Sequence, residues 1–264
     1  MNFLTKINGA RRHNQSCLCV GLDPEPGKLP PGLGVYDFCR AVIGTTCKLV
    51  CAYKPNIAFF EALGSDGWSI LNQVIESVPK NIPVILDAKR GDIGNTARAY
   101  AKAAFDDLGA DAVTVSPYMG FDSLEPFIDY KDKGVFVLCR TSNPGAADFQ
   151  SLEFGGKPLY QIVADKVESW NKYGNLGLVV GATQPEELKT IRDAHPTLPL
   201  LIPGIGTQGG SLELAVKYGC AGDGLGIINV SRQVIYASSG ENFAEAAGTA
   251  ALKLRDEINR YLAE

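Results

Sequence analysis

About eight times along this chain a short apolar run is followed by a longer amphipathic stretch, and that alternation limits the fold more than any other feature. The apolar runs fall at 17–22, 50–54, 84–89, 112–116, 135–140, 176–181, 200–204 and 224–230. Each is short and bounded by turn-forming residues, and most are rich in β-branched side chains, which predicts buried strands. Helix-like stretches lie between them at 35–49, 67–78, 95–108, 123–130, 158–173, 185–195 and 211–218, and a last one spans 243–262. Near-continuous apolar strands separated by helices imply a parallel sheet covered by helices.

So many units in 264 residues favour a closed (β/α)8 TIM barrel over an open doubly wound sheet. No G-x-G-x-x-G follows the first strand. Gly204-Ile205-Gly206 with Gly209 is a partial echo that comes late. No charge-rich or Ser/Pro-rich linker interrupts the pattern, so residues 1–264 read as one α/β barrel domain.

A barrel makes a demand on the sequence, because its functional residues belong at the C-terminal ends of its strands. The third strand meets that demand most clearly, running into Asp87-Ala88-Lys89-Arg90-Gly91-Asp92-Ile93-Gly94-Asn95-Thr96. Side chains alternate along a strand, which turns Asp87 and Lys89 to one face. Gly91 ends the strand and Asp92 returns beside it. Taken alone, the cluster reads either as a functional centre or as a helix cap at Asp92 with an ordinary Asp87–Lys89 ion pair. Other predicted strands end the same way, in Gly21-Leu22-Asp23, Lys54-Pro55-Asn56, Arg140-Thr141-Ser142-Asn143, Pro203-Gly204-Ile205-Gly206 and Ser231-Arg232. Six such ends on one rim favour function.

Two of the loops have a further reading. The glycines at 204, 206, 209 and 210 open a helix, and backbone N–H groups at such a start receive phosphate; otherwise they serve a tight turn. Arg232 would add a planar cationic fork and Gln208 an amide donor. The segment 142–157 is long for this architecture, as a lid or as an idle insertion.

Composition sets the outer limits. A net charge of −4 gives no polyanion-binding face, so no nucleic-acid partner is expected. No run reaches the roughly 18 apolar residues of a membrane span, and the N-terminus lacks the apolar core of a signal peptide. The seven cysteines are odd in number and scattered, which points to reduced thiols and a cytoplasmic location. Cys47 and Cys51 are spaced i, i+4, but with only two histidines in the chain no metal site is expected.

The D-x-K-x-x-D-I-x-x-T pattern of Asp87, Lys89, Asp92, Ile93 and Thr96 resembles the signature of the orotidine 5′-phosphate decarboxylase family. The Thr141-Ser142-Asn143-Pro144-Gly145 loop and the other strand ends match in order, and the spacing is similar to the form with the longer lid. The resemblance implies decarboxylation of orotidine 5′-monophosphate (OMP) to UMP without a cofactor, the last step of de novo pyrimidine synthesis. It implies a homodimer with sites at the subunit interface. Lys54, Asp87 and Lys89 would come from one subunit and Asp92, Ile93 and Thr96 from the other. By the same resemblance Asp23 and Asn56 would hold the ribose, and Thr141 and Ser142 would face the pyrimidine. Pro203, Gln208, Gly209 and Arg232 would take the phosphate end.

The chemistry suits such residues. Loss of CO2 from C6 leaves an electron pair in the ring plane, out of reach of the π system. Stabilisation must then be electrostatic, and a lysine ammonium beside C6 can supply both charge and proton. Two alternatives stand beside this reading: an Mg²⁺-dependent aldolase resembling hexulose-phosphate synthase, and a silent barrel that binds a nucleotide.

Overall fold

The computed structural model describes residues 1–206, 209–222 and 224–264. Eight parallel strands form the sheet: β1 (Leu18–Leu22), β2 (Ala52–Pro55), β3 (Ile85–Arg90), β4 (Ala112–Val115), β5 (Gly134–Arg140), β6 (Leu176–Val180), β7 (Leu200–Ile202) and β8 (Gly226–Val230). Their order around the sheet is β2-β1-β8-β7-β6-β5-β4-β3. The two ends meet through bridges from Tyr53 to Val84 and from Asn56 to Asp87, so the ring closes. Each predicted apolar run overlaps one of these strands, and β2, β3 and β5 each extend one residue beyond it, to Pro55, Arg90 and Gly134. The TIM barrel is the observed fold.

The helices are α1 (Phe3–Asn14), α2 (Val35–Thr46), α3 (Ile57–Glu61), α4 (Gly67–Glu76), α5 (Gly94–Lys102), α6 (Phe121–Ile128), α7 (Leu159–Trp170), α8 (Pro185–Ala194), α9 (Leu212–Gly219), α10 (Arg232–Ile235) and α11 (Phe243–Ala263). Most bury one stripe against the barrel, as their periodicity requires. In α11, Phe243, Ala247, Ala251, Leu254 and Ile258 are buried, a three-and-four spacing that packs the helix on α2 and β1.

Two apolar layers result. The outer one lies between strands and helices. The inner one fills the lower barrel with Cys19, Ala52, Ile85, Ala112, Phe136, Val179, Leu201 and Ile227. Helix α1, absent from the predicted elements, closes that lower end. Asn2 caps it by accepting from Thr5 N at 2.9 Å. Phe3 and Ile7 insert beneath the inner layer, with the Phe3 ring edge-on to Phe136 at 5.7 Å. Lys6 pairs with Asp111 at 2.8 Å.

Arg192 ties the same end together. Its buried guanidinium donates to the carbonyls of His195, Pro196, Leu198, Gly219 and Leu225, and burial lowers its pKa to about 10. All seven cysteines are unbridged thiols. No helix among the described residues is long and apolar enough to cross a membrane.

Candidate active site

Above the inner apolar layer the barrel interior turns polar. Lys54 from β2, Asp87 from β3, Thr114 from β4 and Asn229 from β8 are all buried. They share one cavity of about 500 Å³ with Asp23, Asn56, Lys89, Thr141, Ser142, Pro203 and Arg232. That volume lies within the range of small-ligand sites. The cavity stands at the C-terminal mouth, where a barrel assembles its loops.

Asp87 is the centre of the charge array. Lys54 Nζ donates to its Oδ2 at 2.8 Å, and Lys89 Nζ to its Oδ1 at 2.6 Å. Thr114 Oγ1 donates to the same Oδ1 at 2.9 Å. Burial works against charge on Asp87, but the Lys54 and Lys89 ammoniums outweigh it and hold the carboxyl well below the usual range. Burial likewise works against the Lys54 ammonium, yet Asp87 and Asp23 raise its pKa above that of an ordinary lysine. Lys54 is sealed at 5% side-chain exposure, whereas Lys89 stands 48% exposed in the open cavity. Of the two ammoniums, Lys89 is the one a ligand can reach.

The local backbone departs from simple alternation. Leu86 pairs with Val113 on β4, and the next pairing is Arg90 with Val115, so the register slips between them. Lys89 sits in the left-handed region at φ 47°, uncommon for a residue with a Cβ. The slip, rather than a regular pleat, brings Nζ back onto Asp87.

Asp92, Ile93 and Thr96 do not line this cavity. Asp92 Oδ1 accepts from the Ile93 N–H at 2.8 Å, and Ile93, not Asp92, is the capping residue of α5. Ile93 is 52% exposed on the outer surface beside the mouth.

Opposite the charge array the described glycines of the 204–210 loop hold conformations of a tight turn, the alternative to a phosphate cradle in the sequence reading. Gly204, Gly206 and Gly209 have φ of 100°, 77° and 85°, values that other residues reach only with strain. Gly209 N donates to Gly206 O at 2.8 Å and Gly210 N to Gly204 O at 3.0 Å. Pro203, Gly204 and Ile205 face the cavity, whereas Gly209 is outside its lining. Gln208 lies outside the described residues. Arg232 begins α10 at the rim, and no carboxylate among the described residues pairs with it.

The segment after β5 crosses the mouth. It forms a 3-10 turn at Pro144–Asp148 and a short hairpin of Glu153–Phe154 with Lys157–Pro158. Gln150 ties it to the barrel, accepting from Thr141 N and donating to Thr141 Oγ1, both at 2.8 Å. Asn143 and Gln150 join the cavity wall. Gly181 permits the close approach, since a Cβ there would lie 2.8 Å from Ser142 N.

Sequence reasoning missed Thr114 and Gln150 as cavity residues and named Asn229 only as part of the end of the eighth strand. Thr114 and Asn229 sit inside apolar strands, and a polar residue at an inward position of such a strand was the available signal. Asp23 Oδ1 and Asn229 Oδ1 are buried with no hydrogen-bond partner among the described residues. Among the described residues no three His, Cys, Asp or Glu side chains converge as a metal site requires.

Known proteins resemble this chain in sequence and in fold. The family model for orotidine 5′-phosphate decarboxylase / HUMPS matches residues 16–247. The orotidine 5′-phosphate decarboxylase of Dehalococcoides mccartyi strain CBDB1 is 54% identical over 266 residues, spanning 99% of this chain and 98% of its own. That of Roseiflexus castenholzii is also 54% identical, over 270 residues and 99% of both chains. The solved structure of Leishmania donovani OMP decarboxylase superposes with a TM-score of 0.89 at 45% identity, covering 100% of each chain.

Proposed function

The chain belongs to the orotidine 5′-phosphate decarboxylase family, and we propose from its site how it converts OMP to UMP and CO2. One observation carries the residue assignments. A buried carboxylate holds two ammoniums, one of them open to a nucleotide-sized cavity whose far rim carries Arg232, an arginine with no carboxylate partner among the described residues.

In this reading OMP lies across the mouth. Its phosphate meets Arg232 and the glycine loop with Pro203, Gln208 and Gly209. The Asp23 carboxylate, whose Oδ1 has no hydrogen-bond partner among the described residues, accepts from a ribose hydroxyl, with Asn56 beside it. Thr141 and Ser142 face the pyrimidine edge, under the lid.

C6 then stands beside Lys89. The C6–CO2 bond breaks heterolytically and its electron pair stays on C6. The Lys89 ammonium, held by Asp87, stabilises that pair and then donates a proton to it. UMP and CO2 leave, and the lysine regains its proton from solvent. The charges are in place before the bond breaks, so the barrier carries little cost of reorganisation. Phosphate contacts lie away from the reacting bond, and their binding energy is available to close the lid.

Asp92, Ile93 and Thr96 complete a neighbour's site in a homodimer. Support comes from their position outside their own cavity and from the exposure of Ile93 beside the mouth. The unbridged thiols support a reducing, cytoplasmic setting. Residues 1–264 act as one domain in this reading. The aldolase and silent-barrel alternatives gain nothing from the relatives, and both oxygens of Asp87 are already engaged by ammoniums rather than free for a cation.

The test is the loss of orotidylate absorbance with purified chain, with and without a chelator. Turnover unchanged by the chelator is the expected result. No turnover, or turnover abolished by chelation, would overturn the reading.

A further inference from the structure

Thr114 is the one polar residue of β4, whose Ala112, Val113 and Val115 are buried apolar side chains. It is 1% exposed, so its hydroxyl is satisfied from within. All of its partners belong to one short stretch. Oγ1 donates to Asp87 Oδ1 at 2.9 Å and accepts the main-chain N–H groups of Ala88 and Lys89, each at 3.0 Å. A hydroxyl has one proton and two acceptor lone pairs, and here all three are used.

The stretch it holds is the one that needs holding. Between Leu86 and Arg90 the ladder to β4 slips, so the N–H groups of Ala88 and Lys89 lack their regular strand partners. Lys89 is meanwhile turned into the left-handed region at φ 47°. The same hydroxyl receives those two donors and orients the carboxylate on which Lys89 Nζ rests at 2.6 Å. Lys54 fixes the other carboxylate oxygen but touches neither N–H group.

We propose that Thr114 is a positioning residue for decarboxylation: its hydroxyl sets both the Asp87 carboxylate and the turn at Lys89, and thereby aims the proton donor at C6. The inference rests on the reading of Lys89 as that donor. Thr114 acts through Asp87 and Lys89, so its removal affects the chemical step and spares the contacts that hold phosphate and ribose.

The experiment compares Thr114→Val, which keeps the shape and loses the hydroxyl, with Thr114→Ser, which keeps the hydroxyl. Measured are kcat and KM for OMP, Kd for UMP, and Tm. A small misplacement of a reacting group costs on the order of 10²-fold in rate, so Thr114→Val is expected to lose about that much kcat, with KM and Kd within about threefold. Thr114→Ser is expected within about threefold of the parent kcat. If Thr114→Val does not fold, Thr114→Ala is read by the same split.

Parental kcat in a folded Thr114→Val, or Thr114→Ser as slow as Thr114→Val, would overturn the inference. So would a loss of UMP affinity in proportion to kcat, since that is the signature of a merely structural residue. A parent chain that leaves OMP intact would instead overturn the decarboxylase reading itself, which separates the two failures.

Discussion

Asp87 bears two ammoniums on one carboxylate, and that arrangement sets the pH range over which the site is intact. Its pKa is lowered in the folded chain, so its stabilising contribution is present above the unfolded carboxylate value of about 3.9 and is lost as pH falls below it. Lys54 is raised, so its contribution is present below the unfolded lysine value of about 10.4 and is lost as pH climbs past it. Stability from the pair is therefore flat across neutral pH. Asp87→Ala leaves Lys54 buried without its main partner, and thermal melts are expected to show a loss of about 3–5 kcal/mol at neutral pH. At the other end of the cavity, Arg232→Ala is expected to lower kcat/KM for OMP by about 10²-fold, the worth of a charge-assisted bidentate contact. Turnover of the phosphate-free nucleoside should change by less than about threefold; equal losses on both would contradict a phosphate role. Asp87, Lys89 and Lys54 were legible because charges at the end of an apolar strand demand partners. Thr114 was not, since threonine is an ordinary strand former and its importance comes from a register slip that only the fold creates.

The same contrast holds for whole elements. Strands announce themselves when buried on both faces, and each of the eight overlapped its predicted run, with β2, β3 and β5 reaching one residue past it. Helix α1 was passed over although Phe3, Ile7 and Ala10 carry the spacing of a buried stripe, because nothing in the local sequence says that a helix will plug a barrel. The predicted helix at 95–108 is divided, an α-helix at Gly94–Lys102 continuing as one π-turn at Ala103–Asp107. Phe3 gives the plug a clean test. Phe3→Ala vacates the space against Phe136 and is expected to cost about 3 kcal/mol in denaturant unfolding. Its kcat should stay within about twofold, because the plug and the cavity lie at opposite ends of the barrel. A large fall in kcat at unchanged stability would contradict that separation. The segment after β5 was visible in advance as an over-long loop, but not its anchoring by Gln150, since glutamine in a loop gives no hint of what it will bridge.

At the scale of the molecule, the account divides one active site between two chains. Lys89→Ala and Asp92→Ala are each expected to be inactive alone. Mixed and allowed to exchange subunits, they should recover up to about a quarter of parental activity, because about half of the dimers are then heterodimers and each regains one of its two sites. No recovery with heterodimers present would assign both residues to a single subunit's site. Within each chain the apolar layer fills the lower barrel, and the polar mouth above it carries the charges to which the chemistry is assigned. The ammonium of Lys89, as proton donor to C6, is the group on which decarboxylation depends in this reading. The most direct measurement is single-turnover decarboxylation by Lys89→Ala alongside its affinity for UMP. The prediction is UMP binding within about tenfold of the parent and a rate at least about 10⁴-fold lower, the loss of donor and charge together. A Lys89→Ala chain that decarboxylates within tenfold of the parent rate would contradict it.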